Sequence, residues 1–275
     1  MRGAGTIMST LTISDQEFTQ FQRFIHQVAG IHLSPAKKAL ICGRLGNRVQ
    51  QQGMSSFGDY FRHITSGGAQ SEMQMAVDLL TTNETYFFRE PKHFDLLRKQ
   101  ALAARTRSDS FRVWSAASSS GEEAYSIAMV LADCLEERPW EIVGSDISTR
   151  VLERARTGHY VEARTRNIPP PYLKRFCLKG TGKQAGTVLV ERGLRGRVSF
   201  VQVNLNEALP QLGRFDVIFL RNVMIYFNND TKRQVVARVL DLLKPGGHFL
   251  IGHSESLNDI NSAVEQVAPS IYRKP

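Results

Sequence analysis

Apolar residues recur every three or four positions through the first third of the chain. In "SDQEFTQFQRFIHQVAG", Phe18, Phe21, Phe24, Ile25 and Val28 fall on one face, the period of an amphipathic helix. Ser14 with Glu17 three residues on reads as a capping box, and Gly30 as the stop. "SPAKKALICGRLGNRVQQQG", Ser34 to Gly53, repeats the plan with a Ser-Pro start and a Gly end. "FGDYFRHIT" and "SEMQMAVDLLTT" predict a third and a fourth helix. The spacing thus predicts a small helical module over 8–83, with Met1 to Ile7 read as a tail.

After "FFREPKHFDLLRKQALAART" the pattern changes. Short apolar runs, "FRVWSAA", "WEIVGSD", "VSFVQVN", "FDVIFLRN" and "HFLIGHS", alternate with helical stretches, which predicts βαβ units and a mostly parallel sheet over 84–275. One segment breaks the alternation. "RFCLKGTGKQAGTVLVERGLRGRVSF", Arg175 to Phe200, carries five glycines and alternating Val and Leu, and reads as a short antiparallel hairpin inserted at about 175–200. "IPPPYLKRF", Ile168 to Phe176, reads as a helix start.

Composition narrows the class. At 275 residues, 42% hydrophobic and 22% charged, the chain suits one compact soluble domain with room for a smaller module. A formal net charge of +9 favours an anionic partner: nucleic acid, an acidic membrane surface or an acidic protein. Cys42, Cys134 and Cys177 are far apart and form no C-x-x-C pair, so neither a disulfide framework nor a zinc site is expected, and a reducing cytoplasm fits. The start lacks the apolar core of a signal peptide, and no apolar run approaches the roughly 20 residues of a membrane span.

The candidate chemistry lies at the strand ends, where doubly wound sheets bind ligands. "VWSAASSSGEEAYSIAM", Val113 to Met129, is a strand, a tight turn and a helix, yet the turn has one glycine, Gly121. A dinucleotide fingerprint needs three, so that a pyrophosphate can reach the backbone at the helix start. Here Glu122 and Glu123 stand where that anion would go. Carboxylates repel it and attract an ammonium or sulfonium group. Asp146, ending "VGSD", is placed to accept from two ribose hydroxyls, or alternatively to cap the following helix. "VQVNLNE" offers Asn204 and backbone groups to an adenine edge, and "FLRNVMIYF" ends the fourth strand. Ribose, adenine and a cationic amino-acid end together describe S-adenosylmethionine better than NAD.

"TTNETYFFRE", "WSAASSSGEEAYSIA", "SDIS", "FDVIFLRNVMIYF" and "LKPGGHFLIGHSESL", in this order, resemble the CheR family. These are S-adenosylmethionine-dependent methyltransferases that esterify glutamates on chemotaxis receptors. The resemblance covers nearly the whole chain. It implies a doubly wound, Rossmann-like methyltransferase sheet with an N-terminal helical module and a small antiparallel β-subdomain insert. It also implies cofactor contacts from Asn83, Thr85 and Arg89, Glu123 at the methionine amino end, and Asp146 at the ribose. Asn204 with Leu205 would meet the adenine, Arg221 and Asn222 would complete the pocket, and Tyr226 would face the transferring methyl. Which of Glu122 and Glu123 makes the contact rests on alignment. Ala124 is a departure, because relatives often have Pro there.

A receptor glutamate with a pKa near 4.3 is already an anion at pH 7, so the reaction needs no general base. That agrees with "GHSES", which lacks a G-x-S-x-G, and with His253, as easily a strand-end residue as a catalyst. Arg89 is expected to orient the carboxylate and Tyr226 to direct it. The plainer alternatives are a salt bridge pinning the linker and a core aromatic beside Phe227. Lys37, Lys38, Arg44 and Arg48 can share one side of the second helix, as a solvated face or as the dock for an acidic receptor helix. In some relatives the β-subdomain adds a receptor's C-terminal pentapeptide as an extra strand, so a tether or a mere lid is expected of the insert. Nucleic acid is not expected as a partner, since "RNVMIY" supplies neither a proline pair nor a base-stacking platform. A sensor without catalysis would have no use for a methyl-facing tyrosine. The remaining expectations are a monomer in the cytoplasm, recruited to membrane-associated receptor arrays, that turns S-adenosylmethionine into S-adenosylhomocysteine.

Overall fold

The computed structural model describes residues 11–261 and 263–275; the tail read at 1–7 and the first module positions, 8–10, lie outside them. The chain divides into two compact units, Met1–Thr82 and Asn83–Pro275.

The first unit holds α1 (Asp15–Ala29), α2 (Lys38–Gln51), α3 (Phe57–Thr65) and α4 (Gln70–Leu80). At the start of α1 the Ser14 hydroxyl accepts the Glu17 N–H at 3.2 Å and the Glu17 carboxylate accepts the Ser14 N–H at 2.8 Å, the reciprocal bonds of a capping box. Gly30 ends the helix at φ 71°, where a side chain would be strained. The apolar faces meet around Phe21, Ile25, Ile41, Leu45, Val49 and Phe57, all buried, with Phe21 edge-on to Phe57 and Phe61. Beneath them Arg48 grips Glu72 through two bonds of 2.8 and 2.5 Å, and Tyr60 donates to the same carboxylate at 2.7 Å. Gln52 adds a fourth bond at 3.1 Å.

The second unit starts with α5 (Pro91–Ala103) and alternates β1 (Phe111–Ser115), α6 (Glu122–Leu135), β2 (Trp140–Asp146) and α7 (Thr149–Thr157). Then come β3 (His159–Val161), α8 (Pro170–Phe176), β4 (Cys177–Lys179), β5 (Thr187–Val190) and the single turn α9 (Arg192–Arg195). β6 (Val198–Gln202), β7 (Phe215–Leu220), α10 (Asn229–Asp241), β8 (Leu243–Ile251), β9 (Glu265–Ala268) and β10 (Ile271–Arg273) complete it. The main sheet runs β6-β2-β1-β7-β8-β10-β9. Its first five strands are parallel; β10 pairs antiparallel with β8, and β9 with β10. Every residue of β7 is buried, as a central strand covered on both faces must be. α6 lies against the sheet with Glu122 to Leu131 wholly buried.

The insert is antiparallel but differs from the predicted hairpin in two ways. It is a three-stranded sheet, β3-β5-β4, whose first strand lies upstream of Arg175. Val198 to Phe200, read as its far end, belong to β6 of the main sheet. A strand of three residues shows no period of its own, so β3, held to β5 through His159 and Leu189, could not be read from spacing.

Candidate active site

The β1–α6 turn is shaped by small residues that bond rather than by glycines that yield. Ala116 N–H reaches the Phe219 carbonyl and Ser118 N–H the Ser145 carbonyl, both at 2.8 Å, which lays the loop across the ends of β7 and β2. Ser119 N–H donates to Asp146 at 2.9 Å. Gly121 adopts φ 95°, and a Cβ there would come within 2.9 Å of the Ala155 Cβ, so both conformation and space demand glycine.

The two loop carboxylates are sorted by their partners. Glu122 is fully buried; it takes the Arg164 Nε–H at 2.7 Å and the Ser120 hydroxyl at 2.7 Å. Glu123 turns to the ends of β1 and β7 instead. It accepts the Ser115 hydroxyl at 2.6 Å and lies 3.0 Å from Arg221 Nε, an ion pair whose angle falls short of a hydrogen bond. Burial raises the Glu123 pKa against the opposing pull of Arg221, Ser115 and Arg89. Of the two carboxylates between which the sequence left the choice open, Glu122 is neutralised inside the protein by Arg164.

Asp146 accepts one N–H on each oxygen, from Ser119 at 2.9 Å and Ser148 at 3.0 Å. A carboxylate at the end of a strand, held by backbone N–H groups, is the type of acceptor that a ribose diol meets. Asp146 thus holds the Ser148 N–H just ahead of α7, as well as the loop after β1. Two guanidiniums beside the turn, Arg164 and Arg221, pair with Glu122 and Glu123. The donor set fits an adenosyl group with a cationic tail.

Asn83, Thr85 and Arg89 lie on the segment that opens this unit. The Asn83 carbonyl accepts the Ser119 hydroxyl at 2.8 Å and the Thr85 carbonyl accepts Arg164 at 3.3 Å, so the segment is stitched to the loop. Arg89 lies 5.5 Å from the Tyr86 ring centroid and donates to the Glu84 carbonyl at 3.3 Å. It forms no salt bridge among the described residues. Tyr226 ends a single 3₁₀ turn, Met224–Tyr226, half-buried, and its hydroxyl has no partner among the described residues. The core-aromatic alternative thus fits Phe227, which is buried, better than Tyr226.

The other expected residues also have partners inside the protein. The Asn204 amide donates to Glu207 at 2.9 Å and accepts the Asn206 N–H at 3.0 Å, bracing its own turn. The Leu205 carbonyl accepts Arg238 at 2.7 Å. Arg221 donates at 2.8 Å to the Arg89 carbonyl and at 3.0 Å to His93 Nδ1, so it acts through its neighbours. Asn222 sits at φ 56° with its N–H 3.0 Å from Glu255. Glu255 also takes Gly252 N–H at 2.6 Å and Ile225 N–H at 3.2 Å, fixing the turn that carries Tyr226. Neither Glu255 nor Arg164 was expected, because each meets its partner only through the fold. In the helical unit, three of the four cations read as a docking face have internal partners. Arg48 holds Glu72, Arg44 binds the Leu80 and Thr81 carbonyls and Thr82, and Lys38 pairs with Asp15 at 2.6 Å. Lys37 is exposed.

Family models match both units: "CheR methyltransferase, all-alpha domain" over residues 16–81 and "CheR methyltransferase, SAM binding domain" over 83–272. The chain belongs to the CheR methyltransferase family. It is 42% identical over 267 residues to a chemotaxis protein methyltransferase of Escherichia coli, covering 95% of this chain and 92% of that one. Chemotaxis protein methyltransferase 2 of Pseudomonas aeruginosa is 42% identical over 94% of this chain and 92% of its own. Among solved structures, the glycopeptide N-methyltransferase MtfA complexed with S-adenosyl-L-methionine covers 64% of this chain and 57% of its own. Its TM-score of 0.34 and 21% identity are too low to carry an argument. The larger unit is thus the S-adenosylmethionine-binding domain of a CheR methyltransferase. No helix among its described residues is long and apolar enough to cross a membrane.

Proposed function

We propose that the chain methylates glutamate side chains on the cytoplasmic helices of a chemoreceptor, giving glutamyl methyl esters in chemotaxis adaptation. The observation that carries this is Glu123, buried at the ends of β1 and β7 with one hydroxyl and one off-angle guanidinium for partners, which suits it to an ammonium group, with Asp146 at the end of the adjoining strand β2. When bound, S-adenosylmethionine supplies a methyl on sulfonium, electrophilic enough to be attacked by a carboxylate directly. The protein then has to hold and align. Asn83 and Thr85 close the opening segment over the cofactor, Asn204 and Leu205 border the adenine, and Asn222 completes the pocket. Arg89, which forms no salt bridge among the described residues, orients the incoming glutamate. Tyr226 offers its hydroxyl beside the methyl, and alignment of oxygen, carbon and sulfur supplies the rate enhancement. The reacting charges cancel, so a water-poor pocket helps.

Lys37 and Lys38 at the start of α2 are the cations that remain for an acidic receptor helix. Both outer strands of the small sheet, β3 and β4, have an unpaired edge, and each presents an exposed apolar residue, Val161 and Leu178, at 56%. A receptor's C-terminal pentapeptide would extend that sheet by one strand. The enzyme works as a cytoplasmic monomer brought to receptor arrays by that tether. Incubation with labelled S-adenosylmethionine and receptor-containing membranes tests the central reading: label should enter the receptor as a base-labile ester. Base-stable label, or label on nucleic acid, would overturn it.

A further inference from the structure

Arg221 is only 2% exposed in its side chain and serves two parts of the site at once, Glu123 through Nε and the Arg89 carbonyl through Nη1. Something must hold it there, and His93 is the group in position. The ring is fully buried. Its Nδ1 lies 3.0 Å from Arg221 Nη1 and its Nε2 lies 2.8 Å from the Ser270 hydroxyl oxygen. A guanidinium can only donate, so Nδ1 accepts from Arg221, and the Pro269 carbonyl, 2.6 Å from the Ser270 hydroxyl, takes the serine proton and leaves the serine oxygen to accept from the imidazole. The ring proton therefore sits on Nε2, and the Nδ1 lone pair faces the guanidinium. Ser270 adopts φ 59°, a costly conformation for serine that turns its oxygen to the ring.

We propose that His93 is a positioning residue for cofactor binding: locked in one tautomer by Ser270, it holds Arg221 against Glu123 and against the carbonyl of Arg89. A protonated ring would set two cations 3.0 Å apart, and burial together with Arg221 pushes the His93 pKa down to about 3, so the acceptor persists at working pH. Glu90 adds a counter-charge to Arg221 but no bond to the ring, whose Nδ1 lone pair it faces. Its buried Oε2 has no hydrogen bond and lies 4.0 Å from Arg221 Nη1 and 3.3 Å from His93 Nδ1. Glu90, His93 and His253 have a spacing that would suit a divalent cation. The Nδ1 lone pair such an ion requires is taken by Arg221, so the guanidinium fills the cationic role. The C-terminal β-hairpin thereby reaches the cofactor site through one hydrogen bond.

The test joins nitrogen-15 NMR of the histidine rings in the ligand-free protein with calorimetric titration of S-adenosylhomocysteine into wild type, S270A, H93N and H93L. His93 should show the Nε2–H tautomer and fail to titrate between about pH 5 and 8, and S270A should mix the tautomers. H93L should weaken S-adenosylhomocysteine about tenfold, and H93N, which restores an acceptor near Nδ1, should recover most of that loss. S270A, which leaves the ring in place, should weaken binding in the same direction, so the proposal does not depend on H93L folding. A Nδ1–H tautomer, an ordinary titration of His93, or unchanged affinity in both H93L and S270A would overturn it. The inference rests on the cofactor site described above. Wild type failing to bind S-adenosylhomocysteine would count against that site, while the tautomer would still decide the positioning claim.

Discussion

Two carboxylate–guanidinium pairs, one in each unit, show how the same two groups can build scaffold or site. In the helical unit Glu72 receives two bonds from Arg48, one from Tyr60 and one from Gln52, and Arg48 leads the causes that hold its pKa below the usual carboxylate range. At the strand ends Glu123 has one hydroxyl and one off-angle guanidinium contact, and burial drives its pKa up. The difference is the number of donors. A carboxylate whose lone pairs are filled has nothing to offer a ligand, whereas one that is buried and underbonded gains by accepting another cation. Reading both as "a Glu near an Arg" would miss that distinction.

The largest expected effect is on the filled pair. Arg48→Ala leaves Glu72 buried without its main partner, and should cost the helical unit about 3 kcal/mol, read by urea unfolding. A loss below about 1 kcal/mol would mean that Glu72 is already solvated, and the contrast with Glu123 would collapse. Replacing Arg48 with Met and Glu72 with Leu together should recover most of the loss.

The pairs should also respond to acid with opposite sign. Glu72, with its folded pKa lowered, contributes stability that is present above pH 4.5 and lost as pH falls through the folded value. Glu123, with its folded pKa raised, costs stability above pH 4.5, and acid relieves that cost. In the larger unit His93 opposes this relief. Its folded pKa of about 3 against 6.5 unfolded means that the unfolded chain binds a proton first, so stability falls from about pH 6.5 toward pH 3. Unfolding of H93N and wild type between pH 4 and 7 should therefore diverge as pH drops, with the variant losing less. Parallel curves would remove His93 as the acid-sensitive group.

Glu123→Gln tests the underbonded member. It removes the charge and keeps the shape, so S-adenosylhomocysteine affinity should fall by about 2 kcal/mol while stability holds or rises. Glu122→Gln should show the reverse balance, with folding impaired more than binding, because Arg164 would be left facing a neutral partner. Tyr226→Phe comes next, with kcat lowered about fivefold and cofactor affinity unchanged, as for one hydrogen bond used at the transition state. Unchanged turnover would strike Tyr226 from the site.

These assignments mark where the sequence could be read and where it could not. The capping box at Ser14 and Glu17, the stop at Gly30 and the five parallel strands carry local signals, periodic or conformational, that survive folding. β3, β9 and β10 are three or four residues long, and Pro269 interrupts the last pair, so no period exists to find. The strand-end carboxylates were legible by position. Their guanidinium partners were not, since Arg164 and Arg221 lie 42 and 98 residues from Glu122 and Glu123, and ion pairs across such distances leave no mark on spacing. The same blindness made Arg44 and Arg48 look like a surface: helical spacing reports which side a charge occupies, and says nothing about a neighbour on another helix.

The smallest effect follows from that last point. Of the cations on α2 and its leading turn, Arg44 and Arg48 are held inside the unit, and Lys38 shares its charge with the exposed Asp15. Lys37→Ala with Lys38→Ala should therefore raise the KM for receptor only about fivefold at low salt, the scale of about 0.5 kcal/mol for each solvated pair. The difference should vanish near 1 M salt, where the Debye length falls to about 3 Å. A much larger, salt-insensitive effect would mean that the lysines are desolvated against the receptor, and so behave like the filled Arg48 pair.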